Sequence, residues 1–312
     1  LRMSAFTNAV EWIELINTIS GLFLNLLLLY AIRRFSKPHL GAYKQLLTTF
    51  TTVDIFLVAL HVLVHPRVMR AGYIHATVTD TIFDDVRITA LYIGLQSVPF
   101  SLLAIHFLYR YWSVCKPLRM PLFSNKLFVL FLASLIAGAV VSWYFLCLLC
   151  SKGHDLTIAR EVVASEYAVM YGKRIQNAWV LLDNWRDGKI DVTLFVVTCL
   201  MDVITVSSIV LTLSFAILTF YHISKSDKLS IQAHTLQRKL LIALCAQASI
   251  PTLFVYIPYL ICINIPFLKI PGNFFHDTAA PVMTCFPLWD AVIIILLFSD
   301  FRRGLAGMMR KL

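Results

Sequence analysis

The stretch HFLYRYWSVCKP, residues 106–117, ends a long apolar run with one arginine, Arg110, set among aromatic side chains. A guanidinium in that position has two uses. It can reach into a helical bundle or cap groups at its edge, exchanging partners when helices shift. It can equally snorkel to a membrane interface inside an aromatic belt of Tyr109, Tyr111 and Trp112. Residue type alone leaves both open.

Three acids, Asp54, Asp202 and Asp290, also lie within apolar runs. A carboxylate at bilayer depth costs several kcal/mol unless it is paired, protonated or hydrated. Asp54 and Asp290 fall near the middle of their runs, and Asn25 lies at a depth from which its amide could join them. This trio could hold a cation or a proton and couple helix positions, or it could be a static hydrogen-bonded core. Asp202 falls nearer the outer end of its run. With Gln96, Ser97, Ser101, Tyr256 and Tyr259 it could supply the few polar groups of an otherwise apolar ligand cavity.

Other chemistry has little to stand on. His61 and His65 have i, i+4 spacing, but there is no HExxH frame and no third ligand in sequence, so no metal is expected. The seven cysteines hold a single CxxC, Cys147–Cys150, without a second half, and read as buried thiols acting as small hydrophobes. No GxSxG, phosphate-binding glycine loop or GxGD frame is present, so neither catalytic residues nor a cofactor are expected.

These residues are carried by unusually apolar elements. The 312-residue chain is 59% hydrophobic and only 14% charged, against about a quarter charged for a typical soluble domain. Its net charge of +10 comes from short basic clusters between apolar blocks, which suits membrane topology better than nucleic acid. No basic n-region with a short apolar stretch and cleavage site opens the chain, so no signal peptide is expected.

Seven segments reach the roughly 20 residues a spanning helix needs, approximately 10–32, 44–65, 88–112, 127–150, 194–222, 239–268 and 278–299. The expected fold is an all-α seven-helix membrane bundle in one domain, with a long loop 151–193 and a short basic tail 300–312. Amphipathic helix is expected within that loop, in DLTIAREVVASEYAVMYG. Pro99, Pro251, Pro258, Pro266, Pro281 and Pro287 punctuate the spans and permit bends. Of the 27 Lys and Arg, 16 fall in the loops that also hold Arg110 and the C-terminus, opposed by only Asp227 and Asp300. The positive-inside rule therefore puts the N-terminus outside and the C-terminus in the cytoplasm.

Several motifs in order carry a resemblance. GLFLNLLLLY is followed by GAYKQLL, TTVDIF, HFLYRYWSVCKP, IPTLFVYIP and FPLWDAVIIILLFSDFRRGL. Over about residues 20–305 the chain resembles the nematode serpentine chemoreceptors of the Str class, the group that includes the diacetyl odorant receptor and its Srj relatives. The resemblance implies a G-protein-coupled receptor of chemosensory neurons, in the plasma membrane and specifically its ciliary part, that detects a small environmental molecule. It further implies that a heterotrimeric G protein contacts Arg110, Tyr111, Lys116, Lys225, Arg238 and Lys239. Three departures from the rhodopsin-like pattern stand out. Tyr109 precedes Arg110 where an acid is usual, no cysteine lies at the outer end of helix three, and Ala291 follows Asp290 where proline is common. The alternative is a ligand-gated ion channel or transporter with an ion path through Asp54 and Asp290.

Overall fold

The computed structural model describes residues 2–36, 43–152, 156–186, 188–225, 231–271 and 274–310. Among them, seven helical segments are long and apolar enough to cross a membrane: Asn8–Phe35, Tyr43–Val64, Val86–Cys115, Lys126–Ser151, Val192–Ser224, Leu240–Phe267 and Thr278–Leu297. They build a seven-helix membrane bundle whose outward faces are apolar, with Trp12, Phe23, Leu130 and Val203 all more than 60% exposed. Lipid is as apolar as leucine, so close backbone approach and interhelical hydrogen bonds must hold such helices together. Both occur where α1 (Arg2–Phe35) meets α10 (Phe274–Leu297). A Cβ on Gly21 would sit 3.4 Å from the Leu288 nitrogen, and Asn17 Nδ2 donates to Thr284 Oγ1 at 3.1 Å.

The spans after α2 (Tyr43–Val64) include two that are not continuous helices. The third is α3 (Val86–Leu95) followed by α4 (Val98–Cys115), with a break at Gln96–Ser97 in place of the single 88–112 helix expected. Pro99 has no N–H for the Leu95 carbonyl, and Ser97 Oγ turns back to Gly94 O at 2.7 Å. Gly94 also brings α3 against α5 (Lys126–Lys152), where a Cβ would come 2.8 Å from Val140 O.

After α6 (Thr157–Tyr171) and α7 (Val192–Ser224), the sixth span is α8 (Ile231–Pro251), a π turn at Thr252–Tyr256, and α9 (Ile257–Phe267). Pro251 and Pro258 flank that π turn, as expected of prolines that free backbone carbonyls. The tail is a further helix, α11 (Ser299–Met309), with Phe301 fully buried against the Leu28–Ile32 face of α1.

One end of the bundle carries a sheet that the helical reading did not foresee. β1 (Pro66–Ala71) pairs antiparallel with β2 (Ile74–Thr79) through a two-residue turn. Gly72 takes the first central position at φ 59°, where such hairpins need glycine. β3 (Val180–Leu182) adds antiparallel to β2, with Thr77 opposite Val180. The amphipathic helix expected in 151–193 is α6, which lays Ala159, Val163 and Tyr167 on this sheet beside the fully buried Trp179. Tyr167 donates to Asp80 Oδ2 at 3.1 Å. Burial first, and the Asp80 carboxylate second, raise its phenol above the ordinary value, so it remains a neutral donor. A short ribbon of β4 (Trp185–Arg186) and β5 (Lys189–Ile190) leads into α7, whose first turn Asp191 caps through Thr193 N at 3.0 Å and Leu194 N at 3.1 Å.

Candidate functional site

The breaks in the third and sixth spans face a common space. A cavity of about 150 Å³ opens beneath the sheet, walled by the α3–α4 break, α5, α7, the π turn, α9 and α10. Five of the six residues expected to bind a ligand line it: Gln96, Ser97, Ser101, Tyr256 and Tyr259. The sixth does not. Asp202 lies outside the wall, half-buried, and accepts from Asn264 Nδ2 at 3.3 Å, so it ties α7 to α9 instead. The reason is helical phase: Met201, Thr205 and Ser208 occupy the cavity face of α7, and Asp202 is turned about 100° from Met201.

Among the described residues no Asp, Glu, Lys or Arg lines the cavity, so a charged ligand would lose its hydration without a counter-ion. Most lining hydroxyls are already engaged. Tyr256 Oη pairs with Ser208 Oγ at 2.6 Å, Thr205 donates to Met201 O at 2.9 Å, and Ser101 donates to Ser97 O at 3.3 Å. His61 Nδ1 meets Tyr92 Oη at 3.0 Å. Tyr259 Oη is buried beside Thr205. The sequence reading missed Tyr92 and His61 as lining residues. Tyr92 stands one turn before Gln96, which is the signal that could have found it.

At mid-depth, Asn25, Asp54 and Asp290 are each fully buried. Asn25 Nδ2 donates to Gly21 O at 2.9 Å and to Pro287 O at 2.8 Å, filling both its N–H positions with backbone. Asp54 and Asp290 are neighbours, and Gln247 Nε2 of α8 reaches Asp290 Oδ2 at 3.5 Å. Gln247 was invisible in the sequence as a member of this group. Of the two histidines at i, i+4 spacing, His61 turns to Tyr92 while His65 takes a positive φ of 42° where α2 ends. Among the described residues no cluster of three metal-ligating side chains occurs.

At the end opposite the sheet, Arg110 is only 5% exposed. Its guanidinium carbon lies 5.4 Å from the ring centre of Tyr43, and its Nη2 has no hydrogen-bond partner. The acid missing before Arg110 is therefore replaced by an aromatic face. Tyr43 in turn stacks on Phe298 at 6.3 Å and contacts Tyr109 at 6.3 Å, linking the second and third spans to the joint between the seventh span and the tail helix.

A sequence profile of the Serpentine type 7TM GPCR chemoreceptor Str family matches residues 10–306. The chain belongs to that family. It is 24% identical over 317 residues to Serpentine receptor class r-10 of Caenorhabditis elegans, covering 94% of this chain and 90% of that protein. The protein of the same name from Caenorhabditis briggsae is 25% identical over 320 residues, with the same coverage. The chain is thus a multi-pass membrane protein of a nematode chemoreceptor family, a receptor family rather than an enzyme family.

In this Str receptor, five other residues were expected to meet a partner alongside Arg110. Tyr111 stacks on Phe215 of α7 at 5.6 Å. Lys116, Lys225 and Arg238 are exposed, and Lys225 donates to Tyr221 Oη. Lys239 lies in α8, and its side chain is outside the described residues.

Proposed function

We propose that the chain is a chemosensory receptor that takes one small, uncharged environmental molecule into the cavity beneath the sheet and activates a heterotrimeric G protein at the Arg110 end. The sheet end then faces outside and the C-terminus the cytoplasm, in the plasma membrane of a sensory neuron, including its ciliary part. The observation that carries this reading is the pairing of a cavity without Asp, Glu, Lys or Arg at one end with a buried guanidinium at the other that has no acid partner among the described residues. A volume of about 150 Å³ holds roughly one benzene-sized molecule. Taking about six heavy atoms at the ceiling of about −1.5 kcal/mol each gives about −9 kcal/mol, so affinity should be no tighter than roughly 0.2 µM.

Ligand bound to Gln96, Ser97, Ser101, Tyr256 and Tyr259 touches both broken spans, and the π turn gives the sixth span a place to rearrange. A ligand shifts such an equilibrium only by its difference in affinity for the two arrangements. Movement of the third or sixth span would free Arg110 from Tyr43 and present it, with Tyr111, Lys116, Lys225, Arg238 and Lys239, to the G protein. An ion path through Asp54 and Asp290 finds less support, because both are fully buried and neither lines the cavity.

The test is a second-messenger readout in cells expressing the full chain, against a panel of small volatile and water-soluble compounds, with whole-cell current recorded alongside. A response that vanishes when the G protein is omitted supports the receptor reading. A ligand-evoked current without G protein would overturn it.

A further inference from the structure

The roof of the cavity is a loop strand. Val180 and Leu182 of β3 line it from above, together with His75 and Thr77 of β2. None of the seven cysteines is in a disulfide, so no such bridge holds β3 in place. A carboxylate at the start of the third span does so instead. Asp84 Oδ1 accepts from the backbone N–H groups of Asn177 and Ala178, both at 2.7 Å. Its Oδ2 accepts from Gln176 N at 3.0 Å and from Asn177 Nδ2 at 3.3 Å. Three successive backbone N–H groups thus converge on one anion, the geometry of an anion nest. A turn into α3, the buried Thr89 donates to Ala178 O at 2.6 Å and pairs with Thr79 Oγ1 at 2.8 Å, joining the same segment to β2.

These contacts differ in one respect that matters. Thr89 and Ala178 are fully buried, whereas Asp84 is exposed, so water competes for its bonds. A covalent tie would be permanent; a solvent-facing carboxylate on a nest can let go and rebind. The cavity roof is therefore held on its inner side by Thr89, by Ser151 Oγ on Trp179 O at 3.3 Å and by the β2–β3 ladder, and at its solvent edge by the Asp84 bond set.

We propose that Asp84 is a positioning residue whose carboxylate clasps the 176–178 backbone and keeps β3 down as the cavity roof, and that release of this clasp is the step that opens the cavity to the outside. Its meaning for ligand capture rests on the receptor reading above, but its test needs neither ligand nor G protein.

Two native thiols report the opening, because Cys147 and Cys262 line the cavity and are only 1% and 2% exposed. The full chain in lipid nanodiscs is treated with a small, charged methanethiosulfonate, and the rate of modification at each cysteine is read by mass spectrometry. Hydrogen exchange is followed at 176–182 and at 66–79. Asp84→Ala should speed modification of Cys147 and Cys262 at least tenfold and remove protection at 176–182, leaving 66–71 protected. Asp84→Asn keeps one oxygen for the two shortest bonds but turns an amide N–H toward Gln176 N, so its rate should fall between the two. Glu161→Gln, which breaks the ion pair with Arg174 in the same loop without touching the clasp, should match the wild type.

Wild-type rates in Asp84→Ala, or an equal rise in Glu161→Gln, would overturn the proposal. Should Asp84→Ala lose protection throughout the spans, Asp84→Asn decides: a wild-type rate overturns the clasp and an intermediate one supports it. Failure of the receptor reading would show in signalling and leave these rates unchanged.

Discussion

Replacing Tyr43 tests whether the aromatic face restrains Arg110. Exposed cation–π contacts contribute about 0.5–1 kcal/mol, and desolvated ones about 2 or more. Arg110 is 5% exposed and Tyr43 is 3% exposed, so the larger figure applies. Tyr43→Leu removes the ring and therefore about 2 kcal/mol of restraint, a factor of roughly 30 in the equilibrium between arrangements. If about 1% of ligand-free molecules hold the active arrangement, the variant would hold roughly 20%. The assay is ligand-free nucleotide exchange on the heterotrimer, normalised to receptor copies at the surface. Tyr43→Phe keeps a ring and should stay within about twofold of the wild type. Tyr43→Leu at the wild-type basal rate, with normal surface density, would refute the restraint.

Gly94→Ala should lower the thermal midpoint of the purified chain, because its methyl would meet Val140 O at 2.8 Å and force α3 from α5 at a cost of about 1–3 kcal/mol; an unchanged midpoint would contradict that crossing. Asn25→Leu should destabilise by about 0.5–1.5 kcal/mol through loss of the bond to Pro287 O, measured by thermal unfolding in the same detergent. Ala139→Phe places a ring in the cavity wall and should abolish ligand responses while leaving ligand-free exchange intact, as read in a dose–response series.

The spans were legible because length and apolarity settle which residues can cross a bilayer. The neighbours Asp54 and Asp290 stand out for a related reason, since acids in apolar runs are conspicuous, whereas the amide of Asn25 goes to the backbone of Gly21 and Pro287 rather than to them. What escaped were features set by contacts between distant segments. Gln247 lies among ordinary helix formers, and only packing brings it to Asp290. Asp202 was drawn into the cavity by its chemistry, whereas the phase of α7 turns it to Asn264. The break at Gln96–Ser97 needed more than Pro99, because Ser97 completes it by folding back on Gly94. The β1–β2 hairpin left a readable trace in Gly72 ahead of the β-branched Ile74, Thr77, Val78 and Thr79, but its third strand comes from residue 180, beyond the reach of local pattern. The tail read as basic and short, and only its apolar face, with Phe301 against α1, shows it as a docked helix.

The most direct test uses the purified chain in nanodiscs with a purified heterotrimer, with ligand-stimulated nucleotide exchange as the readout for small uncharged compounds. The account predicts saturable acceleration with a midpoint no tighter than roughly 0.2 µM, lost in Arg110→Ala at normal receptor density. Acceleration that persists in Arg110→Ala, or ligand-driven ion flux across vesicles with no G protein present, would contradict it.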